Sequence, residues 1–214
     1  MDITIENSKE NNKVKVTGKV ISKKPKFVYM DGKAAIYLVT LSIRRLSGTE
    51  DIIPVYISEE FEQFDQIKKG VILYLKGEYR SFNKRQGSKS KLFLYIFAKK
   101  IKILDANLEK QDINKIVMYG FVCKNPVYRL TPLGKEIVEL MIAVNRNDGK
   151  SDYIPCILWD EAASEFKDLL VGQKLKLVGR IQSREYLKKI SEKDDMLEKK
   201  IAYEVSVAIV EKIL

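Results

Sequence analysis

The chain contains the segment Val14-Lys15-Val16-Thr17-Gly18-Lys19-Val20, and a similar segment, Ile116-Val117-Met118-Tyr119-Gly120-Phe121-Val122, lies 102 residues further on. Other pairs recur at offsets of 101 or 102 residues: Gly32 and Gly134, Arg45 and Arg146, Ile53 and Ile154, Gly70 and Gly172, Gly77 and Gly179, and Ser81 and Ser183. A repeat of this length is about the size of a small domain, so it indicates a tandem duplication. We predict a polar tail at 1–12, a first domain at 13–105, a linker at 106–114 and a second domain at 115–214.

Both domains show the same order of secondary-structure signals. Val14, Val16 and Val20 are separated by polar residues, which is typical of a half-buried strand. Two further strands follow, then a short segment of helical spacing, then two more strands. The helical spacing is carried by Phe61, Phe64 and Ile67 in the first domain and by Ala162, Phe166 and Leu169 in the second. This is the order of elements in an OB-fold. We therefore predict an all-β chain of two tandem OB-fold five-stranded barrels, each with one short helix between the third and fourth strands.

The composition excludes several kinds of chemistry. There is no histidine, which excludes Ser-His-Asp hydrolysis and histidine-containing zinc sites. The two cysteines, Cys123 and Cys156, are too few for an all-cysteine zinc site, and we expect both to be buried apolar residues. The sequence contains no nucleophile with a matching base, phosphate-binding glycine loop or carboxylate-rich metal motif. We predict a protein that is not an enzyme and has no catalytic residue, metal or cofactor.

The distribution of apolar residues indicates where in the cell the protein is located. Hydrophobic residues make up 45% of the chain and charged residues 32%, a balance typical of soluble globular proteins. No apolar run approaches the roughly 18 residues that a membrane helix needs. The first residues, Met1 to Glu6, lack the basic and apolar regions of a signal peptide. We therefore expect a cytoplasmic protein with no membrane association.

The charge is strongly positive and unevenly distributed. The formal net charge is +10 and the isoelectric point is near 9.3, which favours a polyanionic partner. Residues 1–106 hold 21 basic and 12 acidic residues, a net charge of +9, whereas residues 107–214 hold 18 and 17, a net charge of +1. Nearly all of the excess therefore belongs to the first domain.

In the second domain, aromatic and basic residues share one side of the predicted strands. Tyr153 and Trp159 alternate with Ile154, Cys156 and Leu158, so the two sets face opposite sides of the third strand. On the fourth strand the outer side carries Lys176, Arg180, Arg184 and Tyr186. Aromatic faces for stacking beside cations for phosphates are typical of sites that bind single strands without reading sequence. The alternative is that these rings cap the barrel or pack on the helix.

A set of short motifs also runs along the second domain: Asn114–Gly120, Asn125-Pro126, Thr131-Pro132, Gly134, Ile142–Arg146, Tyr153–Cys156, Trp159 and Gly179–Tyr186. With these motifs the domain resembles the bacterial single-stranded DNA-binding protein family. The resemblance implies an OB-fold that wraps single-stranded DNA with little sequence preference and works with four OB-folds together. It also implies that Tyr153, Trp159 and Tyr186 stand where the family places its base-stacking aromatics. The first domain resembles the family only through its similarity to the second.

The first domain departs from that pattern. Ile52, Ser58 and Lys84 occupy the positions of the three second-domain aromatics. Because side chains alternate along a strand, we expect any base stacking in the first domain to involve Tyr56 and Phe82. The alternative is that these two rings pack in the core or at an interface. We therefore expect the first domain to hold the DNA backbone mainly by charge and the second to hold bases mainly by stacking.

Further basic residues complete the predicted binding surface. The candidates are Arg44, Arg45, Arg80, Lys84, Arg85, Lys89 and Lys91 in the first domain, with Arg146, Lys176, Arg180 and Arg184 in the second. The polar segment 84–91 is expected to be a loop long enough to close over a strand. The following segment, Leu92–Ala98, is apolar on both strand faces, and its second face is expected to pack on a partner chain or under a neighbouring loop.

The predicted function is sequence-nonspecific binding and protection of single-stranded DNA in replication, recombination or repair. One alternative is a replication-restart or primosome accessory protein of the same fold that acts mainly by protein docking. The other is an RNA-binding OB-fold protein, because OB-folds bind RNA by the same stacking. We also expect a homodimer, which would bring four OB-folds together. The family commonly ends in an acidic tip that recruits partners, and since this sequence lacks one, recruitment through a tail is not expected.

Overall fold

The computed structural model describes residues 11–87, 89–105, 112–189 and 197–213. Most of the predicted tail and linker lies outside these ranges. The first half of the chain contains β1 (Asn12–Val20), β2 (Lys26–Asp31), β3 (Ala34–Arg44), β4 (Glu50–Ser58), β5 (Ile72–Gln86) and β6 (Lys89–Leu104). The second half contains β7 (Asn114–Val122), β8 (Val127–Leu130), β9 (Glu136–Asn145), β10 (Ser151–Trp159), α1 (Asp160–Phe166), β11 (Lys174–Lys189) and β12 (Leu197–Ile213). No helix in the described ranges is long and apolar enough to cross a membrane.

In each half, five strands close into a ring. β1 pairs with β5 on one side and with β3 on the other, β3 pairs with β4, and β5 pairs with β6, all antiparallel. A short parallel pairing of β4 with β6 completes the first barrel. The second barrel repeats this ring with β7, β9, β10, β12 and β11. The prediction of an all-β chain with two OB-fold barrels is confirmed.

The core of each barrel is built from alternate residues of its strands. Fully buried examples are Val16, Leu41, Ile53 and Leu75 in the first barrel and Met118, Ile142, Ile154 and Leu177 in the second. Cys156 is buried among them, and Cys123 is only partly buried. Because every second side chain is used inward, the opposite face of each strand is free to build a surface.

A glycine bends the long strand of each barrel at the same place. The pairing of β5 with β6 shifts register at Gly77, and that of β11 with β12 shifts at Gly179. A Cβ at Gly77 would lie 2.2 Å from the carbonyl oxygen of Phe97, and one at Gly179 would lie 2.3 Å from that of Ser206. Only glycine permits this close approach. The residues before the bulge in β5 and β11 close the barrel, and the residues after it extend the strand beyond the barrel.

Three local features differ from the sequence-based prediction. The first barrel has a 3₁₀ turn, Phe64–Gln66, where a helix was expected, because its segment is rich in phenylalanine whereas α1 contains two alanines. The short strands β2 and β8, added at the edge of β3 and β9, were not predicted. The polar segment 84–91 forms a strand hairpin rather than a loop, with Lys84 opposite Lys91 and Arg85 opposite Ser90. Gly87 supplies the positive φ, +61°, that a tight hairpin turn requires.

The two barrels are joined through β1 and β7. These strands pair antiparallel from Asn12 opposite Met118 to Val16 opposite Asn114, so that all twelve strands form one continuous sheet. Val14 lies opposite Ile116, its own equivalent in the repeat, so the junction has approximate two-fold symmetry. The tandem duplication therefore appears in the structure as an internal dimer.

A reciprocal polar network also crosses this junction. Asp51 accepts hydrogen bonds from the Arg45 side chain and from the backbone N–H of Ser183 in the other barrel, at 2.6–2.8 Å. Asp152 does the same with Arg146 and the N–H of Ser81, the latter at 2.5 Å. Each serine hydroxyl in turn accepts a backbone N–H of the other barrel, from Ile52 and from Tyr153, at 2.8 Å. The network fixes the orientation of the barrels.

Candidate nucleic-acid interface

An aromatic cluster lies on the outer face of the first barrel. It consists of Tyr29 on β2, Tyr56 on β4, Phe82 on β5, and Phe93 and Tyr95 on β6, and we call it the ring cluster. Tyr56 stacks on Tyr95 with ring centroids 4.1 Å apart, and Phe82 stacks on Phe93 at 5.1 Å with only 7° between the ring planes. Phe82 meets the edge of Tyr95 at 5.8 Å, which joins the two stacks. The rings therefore form one continuous surface across three strands and the edge strand.

The ring cluster explains why the segment Leu92–Ala98 is apolar on both faces. Leu94, Ile96 and Ala98 are buried toward the core, and Phe93 and Tyr95 alternate with them on the other face, where Phe93 is partly exposed and Tyr95 is covered by other rings. The second face packs on Tyr56 and Phe82 of the same barrel, which differs from both expected coverings, a partner chain or a neighbouring loop. Sequence reasoning therefore placed Tyr56 and Phe82 correctly on the outer side but missed Tyr29, Phe93 and Tyr95.

Cations border these rings. The Lys91 ammonium lies 5.0 Å from the centroid of Phe93, a ring of the cluster. The guanidinium of Arg80, bonded to Glu78 at 2.6 Å, lies 4.1 Å from the centroid of Phe97, which is on β6 but outside the cluster. Such positions give cation–π contacts. Lys84 and Arg85 are exposed on the neighbouring arm of the hairpin, and Arg44 is exposed at the end of β3. The side chain of Lys89 lies outside the part of the structure that is described.

Burial raises the pKa of two phenols in the ring cluster. Burial, with Tyr29 adding to it, raises the pKa of Tyr95 from 10 to about 12, although Arg146 and Arg80 act in the opposite direction. Burial also raises the pKa of Tyr56. A tyrosine is already uncharged near neutral pH at its ordinary pKa of about 10, so these shifts only extend the uncharged range further into alkaline pH.

The outer face of the second barrel forms an open groove with a cavity of about 780 Å³, which we call the second groove. Its lining from the second barrel includes Arg129, Leu130, Ile157, Trp159, Arg180, Gln182, Arg184, Glu185, Ile201 and Glu204. The first barrel contributes Arg45, Thr49, Glu50 and Ile52 from the β3–β4 turn and the strand that follows it. The groove is therefore complete only when both barrels are present.

The three predicted aromatics of the second barrel are placed differently from one another. Trp159 is partly buried in the lining of the groove, where its indole N–H donates to Ser206 Oγ at 3.1 Å. Tyr153 and Tyr186 do not line the groove; their residues are 42% and 38% exposed on the surface. Arg184 lies 6.0 Å from the Tyr186 centroid. Their predicted stacking role stays a prediction.

The predicted cations of the second barrel also differ in their availability. Arg180 is exposed, and Arg184 lies 3.9 Å from Glu204. Lys176 is bonded to Glu211 at 3.0 Å, which raises the pKa of the lysine. Arg45 and Arg146 were expected among the phosphate-binding residues, but the structure places their guanidinium groups on Asp51 and Asp152 at the junction. We therefore assign these two arginines a structural role.

The two outer faces differ chemically although the strands are equivalent. Tyr95 lies opposite Arg80 in the first barrel, and Glu204 lies opposite Gln182, the equivalent pair, in the second. By the same comparison, Phe82 is replaced by Arg184 and Ser58 by Trp159. At these positions the first barrel carries two rings, and the second carries one indole among charged and amide groups.

Comparison with known proteins finds relatives of the second barrel. Residues 113–212 match the Single-strand binding protein family. The single-stranded DNA-binding protein of Enterococcus faecalis is 36% identical over 81 residues, which cover 35% of this chain and 43% of that protein. Single-stranded DNA-binding protein 1 of Streptococcus pyogenes is 35% identical over 81 residues, 35% of this chain and 62% of that protein. The chain thus spans about half the length of the curated relatives it matches.

A solved structure matches over nearly the whole chain. The wild-type single-stranded DNA binding protein from Thermus aquaticus aligns with a TM-score of 0.70 and 22% identity over 95% of this chain and 93% of that one. A deletion mutant of the same protein gives a TM-score of 0.71 at 21% identity, covering 95% of this chain and 94% of that one. At this identity the likeness shows the fold, two OB-folds in one chain. The similarity to the single-strand binding protein family thus lies in the second barrel.

Proposed function

We propose that the chain binds single-stranded DNA with little sequence preference and protects it during replication, recombination or repair, acting in the cytoplasm and without enzymatic activity. The ring cluster carries this proposal. Every base has a π-face, so adjoining rings bordered by Arg80 and Lys91 bind any sequence, with each stacked base contributing about 1–3 kcal/mol. The named relatives favour DNA over the RNA-binding and docking alternatives.

The proposed contacts involve both barrels. Tyr56, Phe82 and Phe93 stack bases on the first barrel, where the buried Tyr95 ring supports Tyr56, and Trp159 stacks a base in the second groove. Phosphates are bound by Arg44, Arg80, Lys84, Arg85, Lys89 and Lys91 on the first barrel and by Lys176, Arg180 and Arg184 on the second. The expected division into a charged barrel and a stacking barrel is revised, because the first barrel supplies most of the net charge and most of the rings. A homodimer with four OB-folds remains part of the proposal.

The single tryptophan makes the proposal testable without a label. Trp159 is the only tryptophan of the chain and it lines the second groove, so a base stacked there is expected to quench its fluorescence. We expect strong quenching by oligo-dT, weaker quenching by oligo-U, and little by duplex DNA, with affinity falling as salt rises by a slope of about −0.7 per phosphate bound. Equal affinity for single-stranded and duplex DNA, or no response to any strand, would contradict the proposal. A stronger response to oligo-U would favour the RNA-binding alternative.

A further inference from the structure

A carboxylate lies in the wall of the second groove, where a phosphate-binding surface would be expected to carry cations. Glu204 lines the groove, yet its side chain is only 8% exposed. The equivalent residue on the ring-lined face of the first barrel is Tyr95. A buried carboxylate beside a polyanion is unfavourable by Coulomb's law unless it makes specific contacts. Glu204 therefore calls for an explanation beyond general strand binding.

The surroundings leave one oxygen of this carboxylate available. Gln182 Nε2 donates to Glu204 Oε1 at 2.8 Å, and Arg184 Nε lies 3.9 Å from the same oxygen. Within the described ranges no hydrogen bond reaches Glu204 Oε2. Among the described residues, Oε2 is not one of the buried side-chain atoms that lack a partner, so this oxygen is open to the groove. Water can satisfy an open carboxylate oxygen in the free protein, and a donor on a ligand in the groove can take the place of that water.

Base edges differ in whether they supply such a donor. Cytosine and adenine carry exocyclic amino groups, whereas thymine has a carbonyl oxygen at the position of the cytosine amine. Carboxylates accept hydrogen bonds from the cytosine amine in protein–DNA complexes. Uracil offers the same carbonyl as thymine without the methyl group. A cytosine stacked near Trp159 would place a donor toward Glu204, and uracil or thymine would place an acceptor there.

We propose that Glu204 is a specificity-determining residue that makes the second groove favour amino-bearing bases over thymine and uracil. The first barrel, whose equivalent position is a neutral tyrosine among rings, remains tolerant of all bases. The inference rests on the proposed binding of single-stranded DNA and refines it for one groove. The chain then combines one base-tolerant surface with one base-selective groove.

The test compares oligo-dC with oligo-dU on the full chain, followed by Trp159 fluorescence at mildly alkaline pH, where cytosine is unprotonated. These strands differ only in the base edge, and the indole reports on the second groove alone. We expect the wild type to bind oligo-dC about tenfold more tightly than oligo-dU at this groove, a ratio in the range of one good base contact. Glu204→Gln keeps the shape but presents an amide that donates to a carbonyl, so it should remove or reverse the preference.

The matched control is Glu185→Gln. Glu185 lines the same groove and the substitution removes the same charge, but its side chain is 59% exposed and is bonded to Lys199. It should raise the affinity for both strands equally and leave their ratio unchanged. Three results would overturn the inference while leaving strand binding intact. They are a wild type that binds oligo-dC and oligo-dU equally, a Glu204→Gln variant that still prefers oligo-dC, and a Glu185→Gln control that loses the preference as fully as Glu204→Gln does. If no strand binds at all, the proposed function fails, and the inference fails with it.

Discussion

Replacing Asp152 with alanine is expected to destabilise the protein by about 3–5 kcal/mol, the usual cost of removing one partner from a buried ion pair. The carboxylate side chain is 2% exposed and bonds Arg146 and the N–H of Ser81 in the other barrel. Its removal leaves a guanidinium that is 17% exposed without its partner and a buried N–H without an acceptor. Denaturant unfolding of the full chain, read by circular dichroism, measures the loss.

Two further variants separate the causes of that loss. Asp152→Asn keeps the shape and an acceptor oxygen but not the charge, so it should fall between the wild type and Asp152→Ala. Glu198→Ala removes an ion pair with Lys200 on the exposed part of β12 and should cost little, because exposed pairs contribute little to stability. Equal losses for Glu198→Ala and Asp152→Ala would contradict a structural role for the junction network.

Replacing Phe82 and Phe93 together with alanine is expected to weaken binding of single-stranded DNA by about 10- to 100-fold. The two rings stack on each other and form the exposed end of the ring cluster, and each stacked base contributes about 1–3 kcal/mol. Fluorescence anisotropy with a labelled oligo-dT measures the affinity, and the circular dichroism spectrum checks that the variant is folded.

Phe121→Ala is the control for that experiment. Phe121 is 37% exposed, close to the 38% of Phe82, but it lies on β7 outside both the ring cluster and the lining of the second groove. We expect its removal to leave the affinity unchanged. If the double variant bound as tightly as this control, the ring cluster would not be the base-stacking surface.

Much of the fold follows from periodicity in the sequence. Strands such as β1 and β10 alternate buried and exposed residues, and the repeat offset relates their positions in the two barrels. The hairpin arms of β5 and β6 could not be predicted, because Lys84–Lys91 is polar on both faces and its strand form depends on pairing between the arms. β2 was missed for a related reason: it is short and exposed along its whole length, so it carries no inward pattern.

The site was predicted less completely than the fold. Strand parity placed Tyr56 and Phe82 on the outer side, but parity alone does not show that β6 lies beside both, so the face with Phe93 and Tyr95 was expected to pack on a partner chain or under a neighbouring loop. Charge counting placed Arg45 and Arg146 on the phosphates. The sequence contains a pattern that argues against phosphate binding by these arginines: in both domains the arginine is followed six residues later by an aspartate. A spacing that recurs in both copies suits a structural pair at the junction.

Covalent duplication has a consequence that a symmetric dimer lacks. In a dimer of identical chains, every substitution appears on the outer faces of both subunits. In this chain the two barrels differ, and the equivalent positions Tyr95 and Glu204 have different chemistry. The linked barrels also keep a fixed effective concentration for each other, so the second groove, which needs both, does not depend on protein concentration. Duplication thus allows one face to rely on stacking while the other acquires polar contacts.

Photo-crosslinking of the full chain to a single-stranded oligonucleotide carrying 5-bromouracil, with adducts mapped by mass spectrometry, tests the central claim most directly. The claim is that one strand is bound by the ring cluster of the first barrel and by the second groove. We predict adducts at Phe82 or Phe93 and also at Trp159. Adducts confined to one barrel, or found mainly on the outer surface around Phe121, would contradict it.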